Sequence, residues 1–306
     1  MIKASLLILT IALAGSVLTS NAEAGQEKRH QGFSISTGPG KDITDCAQVR
    51  VTVPDGEVAR SEQAKIISQS SSSPLQIQAP INGGIYVQGW ERSEYAVKAC
   101  LAAVGDSPAE AKAVLDQLSL STRDGQVTIE GPSGQTWVGY LLLQVPNGAN
   151  LDLKATNGPI SFKSISASIS AHTLNGPISF YDTTGQVQAH AQNGPISVSG
   201  NRGDFHLEAQ NGPIGVHLTG NRWESGEMEA STQNGPLTLT LPESYQSSVR
   251  VEASRHSPIQ CRAAQCKQAV RTWDKPNIIE FGDASPVIRM STVNGPVTIN
   301  SSDDKR

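Results

Sequence analysis
The sequence predicts an all-β chain: a parallel β-helix or solenoid with coils of about 18 residues and one short helix in its N-terminal part. Three observations carry this. Asn-Gly-Pro followed by an aliphatic residue occurs six times, beginning at Asn157, Asn175, Asn193, Asn211, Asn234 and Asn294. The first four starts lie 18 residues apart, the fifth follows after 23 and the sixth after 60, and a fixed period of this length marks repeats that stack one coil per copy. Inside each copy, apolar residues alternate with polar ones, the period-two signature of half-buried strands. Composition agrees: aromatics make up 5% of a chain with 28 Gly and 17 Pro, which suits a thin stack around small aliphatic side chains.

The N-terminus has the pattern of a secretory signal. Lys3 precedes an apolar run over 6–18, and Ala22-Glu23-Ala24 fits the small-x-small cleavage rule, so residues 1–24 are expected to be removed. No later run reaches the roughly 20 apolar residues of a spanning helix, so no transmembrane segment is expected after signal removal. The reading is an exported protein, periplasmic or secreted to the cell surface. A formal net charge of −4 with no basic block speaks against a nucleic-acid partner.

Residues 25–74 form a polar, partly extended segment, with a short alternating strand at 49–53 and a Ser-rich connector at 68–74. A solenoid domain over 75–300 follows. Asn82-Gly83-Gly84-Ile85 is a degenerate first copy of the turn, and Ser107-Pro108-Ala109-Glu110 is a capping box opening a helix through Gln117. Regular coils occupy 151–240, a degenerate coil and loop excursion 241–286, the last coil 287–300 and a polar tail 301–306.

Counting each Asn as zero, offsets three and five are apolar in every copy, from Ile160/Phe162 to Val297/Ile299. Offsets twelve and fourteen carry a second inward pair: Ile169/Ala171, Val187/Ala189 and Phe205/Leu207. The Asn-Gly-Pro turn is read as a structural corner. Gly supplies unusual backbone angles, Pro opens a strand without an N–H, and the stacked Asn amides form a ladder at about 4.8 Å per coil.

Four cysteines in an exported chain point to disulfides. Of the three possible pairings, Cys46–Cys100 with Cys261–Cys266 is preferred, the first tying the N-terminal segment to the solenoid and the second stapling a short loop.

Thr292-Val293-Asn294-Gly295-Pro296-Val297, the shorter Thr156-Asn157-Gly158-Pro159-Ile160, and Gly89-Trp90-Glu91-Arg92 ahead of the strand to Cys100 together resemble the bacterial putative-adhesin family of β-strand-repeat domains of unknown function. The resemblance spans 75–299. It implies a β-helix-like fold and an envelope location, and it brings no reaction, cofactor or catalytic residue.

Three groups of residues are candidates for binding. Ser161, Ser179, Ser197 and Thr238 form an outward hydroxyl row suited to a glycan or protein surface; the bland alternative is that Ser and Thr simply tolerate exposed strands. Trp223 and Trp273 lie in loops and offer sugar-stacking platforms, or else pack over the coil. His172, His190, His206 and Glu208 fall on neighbouring outward positions with zinc-type donors, though side chains on a flat sheet need not converge. The reading is therefore a non-catalytic, adhesin-like module without a cofactor, whose partner is an envelope glycan, a protein or another copy of itself. A polysaccharide-active enzyme using carboxylates such as Asp204 or Glu208 is the alternative.

Overall fold
The computed structural model describes residues 34–36, 42–52, 56–69, 73–134, 136–255, 257–272, 277–282 and 284–302. The signal-like segment, most of the polar stretch to residue 41, Trp273 and the end of the tail lie outside the described residues. The remainder is a β-solenoid with two long sheets of 12 and 11 strands and one α-helix, Pro108–Leu115. Each coil contributes one strand to the sheet that begins after Asn-Gly-Pro (the front sheet) and one to the opposite back sheet. In a regular coil, Ile160–Lys163 lies in front, the chain turns, Ser166–Thr173 runs behind, and the corner at Asn175 leads to Ile178–Tyr181.

The register is the one the offsets require. Ile160 pairs with Ile178, Ile178 with Ile196, Ile196 with Ile214, Ile214 with Leu237, and Leu237 with Val297. Behind, Ile169 pairs with Val187, Val187 with Phe205, and Phe205 with Met228. These columns fill the space between the sheets and are nearly inaccessible. Phe162 and Phe180 stack with ring centroids 4.9 Å apart, and Phe205 meets Phe180 edge-on at 5.8 Å. A five-residue insertion after Asn211 bulges at a corner and leaves the register intact.

Layer order departs from chain order at both ends. Ile288–Asn294 lies between Met228–Asn234 and Val249–Ala253, and Val297–Ser301 lies between Leu237–Leu241 and Ile259–Cys261. The last coil in sequence is thus an inner layer, one strand in from the end in front and three strands in behind, covered by strands of the 241–286 excursion. The other end repeats the device. Leu75–Gln78 and Gly84–Trp90 are enclosed between Ala149–Ala155 with Ile160–Lys163 on one side and Gln126–Glu130 with Trp137–Pro146 on the other.

The front sheet extends N-terminally of residue 75. Glu57–Ser68 pairs along its whole length with Glu94–Gly105, which pairs in turn with Trp137–Pro146. Its charged, weakly apolar sequence fits a sheet edge, where charges discourage further strand addition. Ser107 caps the helix by accepting from the Glu110 N–H, but the Glu110 carboxylate reaches back to the N–H of Asp106 rather than Ser107. The helix ends at Leu115, two residues short of Gln117.

Both expected disulfides are formed. Cys46–Cys100 holds the segment 42–49 against the outer surface of the front sheet, where Ile43 and Val49 bury Tyr86, Tyr140 and Leu142 in a small second core. Lys163 pairs with Asp42 at 2.7 Å in the same region.

Candidate functional site
The Asn-Gly-Pro corner is a continuous hydrogen-bonded spine. Each Asn Nδ2 donates to the Oδ1 of the Asn one layer away, from Asn294 through Asn234, Asn211, Asn193, Asn175 and Asn157 to Asn82, at 2.9–3.1 Å. Every amide inside the row both donates and accepts along it, so the row is self-satisfying. The corner glycines play a different part from the one expected. Gly158, Gly176, Gly194 and Gly212 do not have left-handed φ values; a Cβ on any of them would fall onto the carbonyl oxygen of the glycine one layer before. They are there for close approach of backbone to backbone. The Thr232 and Thr292 hydroxyls donate to the carbonyls of Gly212 and Gly235 at 2.8 and 3.0 Å, tightening the same seam.

The front sheet places the hydroxyl row in direct register. Ser161 pairs with Ser179, Ser179 with Ser197, Ser197 with Gly215, Gly215 with Thr238, and Thr238 with Thr298. All are half-buried by their flat surroundings, and the Ser197 hydroxyl donates to Ser179 Oγ at 3.0 Å. A parallel column of Lys163, Tyr181, Ser199, His217 and Thr240 lies beside it. At its N-terminal end the face is bounded by the segment 42–49. What remains is a level surface of hydroxyl, imidazole and phenol groups with one lysine.

On the back sheet, His172 and His190 are in register with ring centroids 6.2 Å apart. Glu208 lies 3.6 Å from His190 Nδ1 and 3.1 Å from His206 Nε2, and Glu229 lies 3.5 Å from His206 Nδ1. His172 instead contacts Ser170 Oγ at 3.1 Å. The groups form a zigzag of imidazole–carboxylate contacts along the sheet surface, and among the described residues no three His, Cys, Asp or Glu side chains come together to hold a metal ion. Asp204 and Glu208, the carboxylates named for an enzymatic alternative, are separately engaged: Asp204 Oδ1 accepts from the Glu227 N–H at 3.1 Å.

Trp223 does not present a stacking platform. It is 6% exposed, its ring meets Phe205 edge-on at 6.1 Å, and its indole N–H donates to the Gly203 carbonyl at 3.2 Å. The inserted loop folds this ring inward because burial of so large an apolar surface outweighs exposure in a loop. Trp273 lies outside the described residues.

The corner opposite the Asn row holds a feature that the sequence reading missed. A polar groove of about 430 Å³ runs across successive coils from Asn147 to Arg202. Ser164 and Asp182, stacked on each other's layers, both have φ of 47°, a left-handed conformation that is uncommon outside Gly, Asn and Asp. Their N–H groups are spent on the next layer, to Tyr181 O at 2.9 Å and Ser199 O at 3.0 Å, so the side chains point outward. Two non-glycine residues at corresponding corner positions with left-handed backbone were the signal available, but φ is not written in a sequence.

A family model described as Toastrack DUF4097 matches residues 25–264. The chain belongs to that family. The match reaches further N-terminally than the resemblance read from the motifs, in keeping with the place of Glu57–Ser68 in the front sheet. Among solved structures, a putative adhesin from Bacteroides fragilis is 13% identical, with 81% of this chain and 99% of that chain covered and a TM-score of 0.38. A putative adhesin from Parabacteroides merdae is 8% identical (79% and 96% covered, TM-score 0.36). A putative lipid binding protein from Parabacteroides distasonis is 11% identical (81% and 98% covered, TM-score 0.33). No curated protein matches the chain.

Proposed function
We propose that the protein is an exported, non-catalytic binding module that lays the hydroxyl face of its front sheet against a glycan or protein of the cell envelope. The observation that carries this is the unbroken register from Ser161 through Ser179, Ser197 and Thr238 to Thr298. It supplies donors and acceptors layer after layer, with one gap at Gly215, along the outer surface of the strands. Two disulfides accord with an oxidising compartment, and no helix among the described residues is long and apolar enough to cross a membrane. The expectation that residues 1–24 are an export signal belongs to the same reading.

The test is a crosslinked capture from the native envelope fraction. It compares the protein with a variant carrying Ser161→Lys, Ser179→Lys, Ser197→Lys and Thr238→Lys. A partner retained by the first and lost by the second supports docking through this face. Equal capture by both sinks it.

A further inference from the structure
We propose that the groove at the corner opposite the Asn row is a second site, which binds two or three rings of an extended, uncharged oligosaccharide lying parallel to the solenoid axis. This goes beyond docking through the front face and uses none of its residues.

The groove carries its own chemistry. Among the described residues, Ser164, Ser166, Asp182 and Thr184 line it with side-chain oxygens that make no hydrogen bond or ion pair, and Asn201 adds an amide likewise unengaged. Arg202 adds a guanidinium, held loosely by Glu224 at 3.9 Å with both side chains about half exposed. One carboxylate and one guanidinium cancel, so the groove favours neither a strongly acidic nor a strongly basic ligand. What remains are groups that both donate and accept, closely spaced, which is the pattern that vicinal sugar hydroxyls complement.

Shape points the same way. The lining residues recur at the same corner offsets, so polar positions repeat at roughly 4.8 Å along the axis, a step comparable to one pyranose ring of an extended β-1,4-linked chain. The volume of about 430 Å³ lies inside the range of small-ligand sites, about 300–1,000 Å³. Gly200 lines the third layer without a side chain; unlike Ser164 and Asp182 it continues its strand with ordinary φ and pairs with the buried Leu218, so no side chain from this position enters the groove.

The experiment is calorimetric titration of the full chain with cellohexaose and with chitohexaose. The variants are Ser166→Tyr, which fills the groove from an exposed lining position, and Asp182→Asn, which keeps a residue tolerant of left-handed φ and removes the carboxylate; circular dichroism verifies the fold of each. Binding of either hexasaccharide, weakened at least tenfold by both variants and unchanged by the four lysine substitutions on the front face, is the expected result. No binding of either sugar at millimolar concentration, or binding indifferent to Ser166→Tyr and Asp182→Asn, overturns the proposal. Should Ser166→Tyr fail to fold, Asp182→Asn with Arg202→Gln decides. Loss of sugar binding on the lysine face alone would assign the sugar to the front sheet instead.

Discussion

Replacing Gly194 by Ala adds one methyl group, and the structure says where it must go. The new Cβ would land on the Gly176 carbonyl oxygen, which is backbone and cannot swing aside. The corner must therefore open. Opening strains the Asn193–Asn175 and Asn211–Asn193 amide bonds, both 3.0 Å, and the Asn193 N–H bond to the Leu174 carbonyl at 2.8 Å. Overpacking of a rigid site costs about 1–3 kcal/mol, and each weakened hydrogen bond about 0.5–1.5 kcal/mol. The total for Gly194→Ala is then about 3 kcal/mol or more. Gly215→Ala is the matched control. It lies in a front strand, a Cβ there meets nothing within 4 Å and its φ is not left-handed, so it should be neutral or stabilise by up to about 1 kcal/mol. Urea unfolding followed by circular dichroism separates them: with a slope of about 3 kcal/mol/M, Gly194→Ala should lower the midpoint by about 1 M and Gly215→Ala should not lower it. Equal midpoints would refute the close-approach account of the Asn-Gly-Pro corner.

The other predictions concern the spine, the phenols and the disulfides. Asn193→Asp leaves an acceptor facing the Oδ1 of Asn175, so the charged form is disfavoured in the fold; stability should drop by about 1–3 kcal/mol at neutral pH and recover on acidification, when a protonated carboxyl can donate again, as read from thermal midpoints across pH. Burial pushes the Tyr245 phenol up from 10.0 to about 12; because the raised value favours the neutral form in the fold, that contribution is complete below pH 10 and is lost as pH rises toward 12. Phenolate absorbance should show a late-titrating tyrosine that Tyr245→Phe removes. Cys46–Cys100 spans 54 residues and Cys261–Cys266 spans 5, so loop-closure entropy predicts losses of about 4 and about 2 kcal/mol respectively for the Cys→Ser pairs. Urea midpoints in that order are the expected result.

Much of this architecture was legible because a solenoid writes its register into its sequence. Once Ile160, Ile178, Ile196 and Ile214 were aligned, both sheets, the inward columns and the Asn spine followed. Asn82 could be placed in the same row from a degenerate turn alone. Legibility fails where neighbours in space are not neighbours in sequence. Nothing in Ile288–Asn294 announces that it lies between Met228–Asn234 and Val249–Ala253, since each of these strands alternates in the same way. Glu57–Ser68 escaped notice because an edge strand rich in charge lacks a clear apolar face. The glycine role was misread because backbone freedom and backbone proximity select the same residue. For the sites, the hydroxyl row was visible as offset four, whereas the opposite groove depends on the φ of Ser164 and Asp182.

The enclosed layers at the two ends have a consequence for how the chain is completed. In a simple stack each new coil can settle on the one just made, and a chain cut short loses only its last layer. Here the position beside Met228–Asn234 belongs to a segment synthesised some 60 residues later, and until it arrives Val249–Ala253 has only Asn277–Phe281 beside it and Ile259–Cys261 has no strand partner among the described residues. A product ending before Ile288 would therefore lack the layer on which Val249–Ala253 and Ile259–Cys261 rest, and the strands of the 241–286 excursion would have no stack to join. The arrangement works as a completeness check: only a chain with its final coil in place closes the stack.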